Sequence, residues 1–268
     1  MIGYLIWDLD PRVFKALDFF RWYGVCWAVG MMLGYALTQY IYKKEKLPLA
    51  SLDKLVGYLI IGIIVGARLG HIFFYDPAYY LAHPIEVLPI RLEPHFEFTG
   101  LAGLASHGGI AGALIALYIF KRKYKIEMLS TLDRLVIGGA LIGGFIRLGN
   151  LMNSEIIGIP TDVSWAFVFT QIDNTPRHPS QLYEAMFYFA ISGVLYGIWK
   201  SKRASIREGF LFGLGVAFIF LQRFFVEFLK ENQVSFEDQW PLNMGQLLSI
   251  PLIILGLLFV LRSYIKRA

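Results

Sequence analysis

Seven apolar runs divide the chain, near 19–42, 52–75, 101–120, 132–152, 181–199, 209–229 and 245–261, with most charged residues gathered between them. A bilayer core about 30 Å thick takes roughly 20 apolar residues in helix. Backbone groups find no water there, so each run must satisfy its own hydrogen bonds and become helical. The expected fold is all-α, a polytopic membrane protein with about seven transmembrane helices. Composition agrees: 56% of the 268 residues are apolar and 16% aromatic, and the mean hydropathy is +0.54. No repeat of fixed period and no low-complexity linker interrupts it, so residues 1–268 read as a single integral-membrane domain. The longest connections, 76–100 and 153–180, hold prolines and aromatics, and either has the composition of a small external cap.

Charge orients the runs. Sixteen Lys and Arg lie at 43–54, 121–134, 200–208 and 262–268, against 6 on the other side. The positive-inside bias puts the C-terminus in the cytoplasm and the N-terminus outside. The net charge of +5 calls for no nucleic-acid partner, because the basic residues sit where anionic membrane lipids meet them. Asp8, Asp10 and Pro11 interrupt the opening apolar stretch, so the first run is expected to be an uncleaved anchor rather than a secretory signal. Cys26 is the only cysteine, which excludes an intramolecular disulfide and a multi-Cys metal site, and it reads as a small packing residue.

The remaining 3 cations, Arg68, Arg147 and Arg223, lie inside apolar runs. A central Arg costs roughly 2.5–3.5 kcal/mol on insertion scales, so such charges face a cavity or a partner. At about 1.5 Å per residue, Arg68, His107 and Arg223 lie roughly 10 Å from the outer ends of their helices, Arg147 about 8–9 Å and Tyr23 about 6 Å. Gly143, Arg147, Asn150 and Ser154 share one helix face by spacing, a polar face suited to an anionic headgroup. Structural alternatives exist. Arg223 has Glu227 at i+4 for a salt bridge, Arg68 has a stem long enough to snorkel, and a membrane histidine such as His107 often serves only helix–helix hydrogen bonding. Glycines 108, 109 and 112 favour close approach to His107 by a helix or a ligand. In Arg177-His178-Pro179-Ser180-Gln181-Leu182-Tyr183-Glu184, Ser180 is placed to cap the fifth run, yet so many polar groups exceed what a cap requires.

These segments, in order, resemble the bacterial prolipoprotein diacylglyceryl transferase family. The resemblance rests on Trp22-Tyr23-Gly24, Gly66-Ala67-Arg68-Leu69-Gly70, His107-Gly108-Gly109, Arg147-Leu148-Gly149-Asn150 with Asn153, Glu155 and Gly158, the Arg177–Glu184 block, Arg223 with Val226-Glu227-Phe228, and Met244-Gly245-Gln246 through Pro251. It covers nearly the whole chain. Departures are Phe145-Ile146 before Arg147, Ser154 where Gly is common, Arg21 for a frequent His, and Ile219 where a Tyr often stands.

The resemblance implies a bacterial inner-membrane enzyme that moves the diacylglyceryl group of phosphatidylglycerol to the lipobox cysteine of a prolipoprotein signal peptide. A thioether forms and glycerol phosphate leaves, with no cofactor and no metal. It implies His107, Arg147 and Arg223 as catalytic residues. Arg68, Tyr23, Asn150, Asn153, Glu155, Gly158 and His178 join Arg147 in binding substrate. The chemistry is coherent, since the planar fork of Arg suits a phosphate. A free thiol titrates near 8.5 and an imidazole near 6.5, so proton transfer between them is uphill by roughly two units in water; nearby arginines help by favouring the thiolate. Two other functions fit buried arginines: an anionic-phospholipid transporter or scramblase, and an acyltransferase acting on a hydroxyl or amine. Transporters often show paired inverted repeats and midplane sites, whereas this polar set lies off-centre.

Overall fold

Each apolar run is helical, with ends shifted by a few residues from the hydropathy boundaries. The computed structural model describes residues 3–15, 20–88, 90–91, 95–98, 103–202, 205–231 and 240–265. Among them are helices α1 (Trp22–Lys44), α2 (Leu49–Phe74), the short α3 (Pro77–Ala82), α4 (Ser106–Tyr124), α5 (Met128–Met152), α6 (Ser180–Lys202), α7 (Phe210–Val226) and α8 (Met244–Ile265). Residues 101–102, where the third run opens, and parts of 76–100 lie outside the described residues. Five helices, α2, α5, α6, α7 with its following turn and α8, are long and apolar enough to cross a membrane. Large apolar side chains on them stay uncovered, with Ile61 66% and Phe74 83% exposed on α2 and Leu261 56% on α8. Surfaces of that kind need hydrocarbon around them, as in a multi-pass membrane chain.

The all-α expectation holds for the long elements only. Strands β1 (Leu5–Trp7), β4 (Phe167–Phe169) and β5 (Pro176–Arg177) form a small sheet in the order β1-β4-β5, parallel then antiparallel. A two-stranded ribbon joins β2 (Ile90–Arg91) to β3 (Glu97–Phe98). These segments are too short to cross a bilayer as helices, and their backbones pair with each other instead.

Two compact units result: Met1–Ile41 with Leu129–Ala268, and Tyr42–Met128. In the first, Ile41, Ile137, Ala140, Ile191, Leu195, Trp199 and Leu211 make one core cluster. A second joins Leu151, Ile157, Phe167 and Phe169 with Trp7 and Leu182, and the Trp7 indole donates to the Leu151 carbonyl at 3.1 Å. The 153–180 connection thus folds as a cap together with the chain's opening strand. In the second unit, α2 and α4 touch backbone to backbone. A Cβ at Gly66 would lie 2.4 Å from the Gly108 carbonyl oxygen, and one at Gly112 2.0 Å from that of Gly62. Small residues at one-turn spacing permit such contact in membranes.

Asp133 fastens α5 to α7. Its carboxylate is 5% exposed and accepts from the backbone N–H of Gly209 and of Phe212, both at 2.7 Å. Free N–H groups at a helix start otherwise lack partners. Replacing Asp133 with Ala strands two donors in a dry place and is expected to cost about 2 kcal/mol or more. Thermal unfolding of the purified protein in detergent checks this; a change below about 0.5 kcal/mol, the scale of an ordinary surface substitution, would contradict it.

Candidate active site

Arg147 reaches its partners because α5 carries two glycines one turn earlier. A Cβ at Gly143 would lie 2.7 Å from Tyr188 Cδ1, and one at Gly144 2.4 Å from Phe189 Cε1. The space beside these glycines is therefore filled by α6 aromatics. That packing sets Glu184, one turn before Tyr188, beside the guanidinium: Arg147 Nε lies 3.1 Å from Glu184 Oε2, with side chains 14% and 0% exposed. The Tyr188 hydroxyl also interacts with Arg147, within electrostatic reach of Glu184 and Arg223.

Glu184 has a second cation. Its Oε1 accepts from Lys230 Nζ at 3.0 Å, and Lys230 also donates to Glu227 Oε2 at 3.1 Å. Lys230 is 5% exposed and Glu227 8%. The carboxylate of Glu227 sits against Gly245 at the start of α8, where a Cβ would lie 2.5 Å from Glu227 Cδ. The alternative of an Arg223–Glu227 salt bridge is not realised: the helix tightens to a 3-10 turn over Glu227–Leu229, and Lys230 takes the carboxylate. Among the described residues Arg223 forms no ion pair. Arg147 and Lys230 thus share the two buried carboxylates, Glu184 and Glu227.

Arg147 Nη1 lies 3.4 Å from Asn150 Oδ1, and Asn150 and Asn153 each donate an amide to Glu155 at 3.1 Å. Tyr23 packs on Gly149, where a Cβ would lie 2.9 Å from Tyr23 Cδ2, and feels the charges of Glu155 and Arg147. Ser154 is not on the Arg147 face: α5 ends at Met152, and Ser154 takes a left-handed φ of +53°, a conformation glycine adopts without strain. Its hydroxyl, Asn153 Oδ1 and Gln181 Oε1 are buried without a partner among the described residues.

Ser180 does not cap its own helix; its hydroxyl donates to the Ile156 carbonyl at 2.7 Å. Gly158 is pressed between strands, where a Cβ would lie 2.4 Å from the His178 carbonyl oxygen and 2.7 Å from that of Leu229. Arg177 binds Asp173, Glu231 and the Gly158 carbonyl, and its guanidinium holds the Asp173 carboxyl down at about 2. Burial pushes His178 below the usual imidazole range. Its Nδ1 is 3.1 Å from the Tyr183 hydroxyl, which accepts from the Trp165 indole at 2.8 Å.

Arg68 and His107 belong to the other unit. Arg68 donates to the carbonyls of Val87 at 3.0 Å, Glu86 at 2.5 Å and Gly103 at 3.4 Å, and lies 5.1 Å over the Tyr80 ring. It ties down the segment after α2 rather than snorkelling. His107 is exposed near the start of α4, next to Gly108, where a Cβ would lie 2.2 Å from the Gly66 carbonyl oxygen. Sequence reasoning missed Lys230, Glu184 and Tyr188 as members of the cluster. Lys230 was counted with the outer-side cations, and its i+3 spacing from Glu227 was the available signal. The described residues hold no group of three or more His, Cys, Asp or Glu side chains placed to hold a metal ion.

The family model described as prolipoprotein diacylglyceryl transferase matches residues 11–262. Three relatives bear the name phosphatidylglycerol–prolipoprotein diacylglyceryl transferase. That of Bacteroides fragilis is 47% identical over 258 residues, covering 95% of this chain and 93% of its own. That of Tolumonas auensis is 45% identical, covering 98% and 99%, and that of Chloroherpeton thalassium is 44% identical, covering 99% and 96%. Similarity of that extent spans α1 through α8 and every residue of the arginine cluster, and the chain belongs to the prolipoprotein diacylglyceryl transferase family.

Proposed function

We propose that the chain transfers the diacylglyceryl group of phosphatidylglycerol to the thiol of a prolipoprotein lipobox cysteine. The observation that carries this beyond family membership is the buried row Arg147–Glu184–Lys230–Glu227, with Arg223 in electrostatic reach of the same tyrosine, Tyr188, as Arg147. In the reaction the cysteine sulfur bonds to the glyceryl carbon, the bond from that carbon to phosphate oxygen breaks, and glycerol phosphate departs. The leaving phosphate gains charge as the bond breaks. Arg147 brings a planar guanidinium already oriented by Glu184, and Arg223 brings a charge with no ion pair among the described residues. Preorganised cations at a developing anion are the largest usual contribution to such a rate. Asn150, Asn153, Glu155 and Tyr23 line the same region of α5 and its exit, and offer hydrogen-bonding groups to the glycerol headgroup. Gly158 supports that region through its close backbone contacts with His178 and Leu229, and His178 offers a ring nitrogen for hydrogen bonding.

His107 is assigned the thiol proton, and Arg68 a lipid contact, on residue type and the family resemblance. No metal or cofactor is required by this chemistry. The seven long helices are assigned as seven spans in a bacterial inner membrane, with the N-terminus outside, and the whole chain as one catalytic unit. The external side is where an exported precursor presents its cysteine.

Arg147→Lys keeps the charge but loses the planar fork, and turnover is expected to fall about 100-fold. Diacylglyceryl transfer from phosphatidylglycerol to a lipobox peptide measures it, with thioether product as readout. A folded variant within about threefold of the parent would remove the clamp.

His107→Gln is expected to retain phosphatidylglycerol binding while turnover falls roughly 100-fold, with partial recovery at higher pH as hydroxide supplies the thiolate. Binding lost in step with turnover would make His107 a binding or packing residue.

Orientation is tested with single cysteines at Asp173 and Lys123 in a Cys26→Ser background. An impermeant maleimide on intact spheroplasts should label the first and spare the second; the reverse pattern inverts the topology.

A further inference from the structure

The end of the helices opposite the arginine cluster carries a cavity that this function does not use. Glu184 stands near the start of α6 and Gly245 near the start of α8, whereas Lys202 and Tyr264 stand at their far ends. Eighteen residues of helix separate Glu184 from Lys202, about 27 Å. There a cavity of about 250 Å³ is lined by Lys202, Ser205, Arg207 and Tyr264 with apolar walls from Ile206 and Phe210.

Arg207 is held in place. Its Nη1 donates to the carbonyls of Ser263 and Tyr264 at 3.2 and 3.1 Å, and the guanidinium lies 5.0 Å over the Tyr264 ring. A helix C-terminus accounts for that one nitrogen, since its last carbonyls attract cations. Nε and Nη2 donate to no described residue, so the planar fork still presents two donors. The Lys202 ammonium makes no hydrogen bond or ion pair with a described residue, and no acidic side chain lines the cavity. A fixed guanidinium, an ammonium and an apolar wall together match a phosphate diester at the edge of a hydrocarbon layer.

We propose that this cavity binds the headgroup phosphate of an anionic phospholipid from the leaflet opposite to the one that meets Arg147, as a site separate from the reaction. Arg207 and Lys202 grip the phosphate, and Ile206 and Phe210 cover the first carbons of the acyl chains. The lipid then ties the start of α7 to the end of α8 through Arg207.

Native mass spectrometry of the full chain in neutral detergent, without acceptor peptide, counts bound phosphatidylglycerol against phosphatidylcholine. The parent protein is expected to hold two phosphatidylglycerols. Lys202→Gln with Arg207→Gln should weaken the second about 30-fold, leave turnover at saturating lipid unchanged, and abolish the extra thermal stabilisation that phosphatidylglycerol gives the parent. Should the double variant fail to fold, Lys202→Gln alone, at an exposed position, is expected to weaken the second lipid about fivefold. Two lipids held with unchanged affinity by the variants would overturn the site. Equal binding of phosphatidylcholine would make it an apolar groove, and full displacement by millimolar inorganic phosphate would make it a free-phosphate site; either result overturns the proposal. Arg147→Lys should leave the second lipid in place, which keeps this test separate from that of the transferase reaction.

Discussion

The carboxylate of Glu184 holds the cluster together. It is fully buried on α6 and sits between Arg147 of α5 and Lys230 beyond α7. Taking a carboxylate out of water costs several kcal/mol even after relaxation, and losing one partner of such a pair is more damaging than never having built it. Lys230 in turn needs Glu227 as well as Glu184, and Glu227 needs the space left by Gly245. The backbone of α5, α6, the turn after α7 and the first turn of α8 is therefore fixed by a single row of alternating charges. A network of this kind is weak evidence for stability and good evidence for geometry: it sets where the Arg147 fork points, and it does so before substrate arrives.

The long helices were legible because a bilayer leaves an apolar run of about 20 residues no alternative to internal hydrogen bonding. Their ends were not, because hydropathy stops where the lipid stops while backbone pairing continues into polar residues. Thus α5 starts at Met128 and α6 ends at Lys202, each a few residues past its apolar run. The strands were invisible for a related reason. Leu5–Trp7 and Phe167–Phe169 are three residues each and pair across more than 150 positions of sequence, beyond the reach of any local period.

Site residues divided along the same line. Arg147, Asn150 and Glu155 are near in sequence and are joined by hydrogen bonds in space. The i,i+4 rule failed for Arg223 and Glu227 because it compares only neighbours on one helix, and a buried carboxylate accepts whichever cation the tertiary fold delivers. Lys230 won by arriving through the 3-10 turn. Spacing put Gly143 on the polar face of Arg147, and only the fold shows that the ring of Tyr188 packs against it. The departure at Ser154 has a physical meaning that the sequence alone did not supply: its φ of +53° is the left-handed region, so glycine is the unstrained occupant and serine the costly one.

Charge balance connects this arrangement to selectivity for an anion. Were Arg223 paired with Glu227, Lys230 would compete for Glu184 alone, and the three cations and two carboxylates would still sum to one positive charge. The difference lies in where that charge sits. Pairing Glu227 with Lys230 leaves the excess on Arg223, which, like Arg147, is within electrostatic reach of Tyr188, instead of on a lysine walled in by two carboxylates. A point charge on a buried Lys would attract any anion without orienting it. A guanidinium offers planar, directional donors to a tetrahedral phosphate. The 3-10 turn at Glu227–Leu229 is thus the local feature that gives Glu227 to Lys230 and leaves Arg223 outside the ion-pair row.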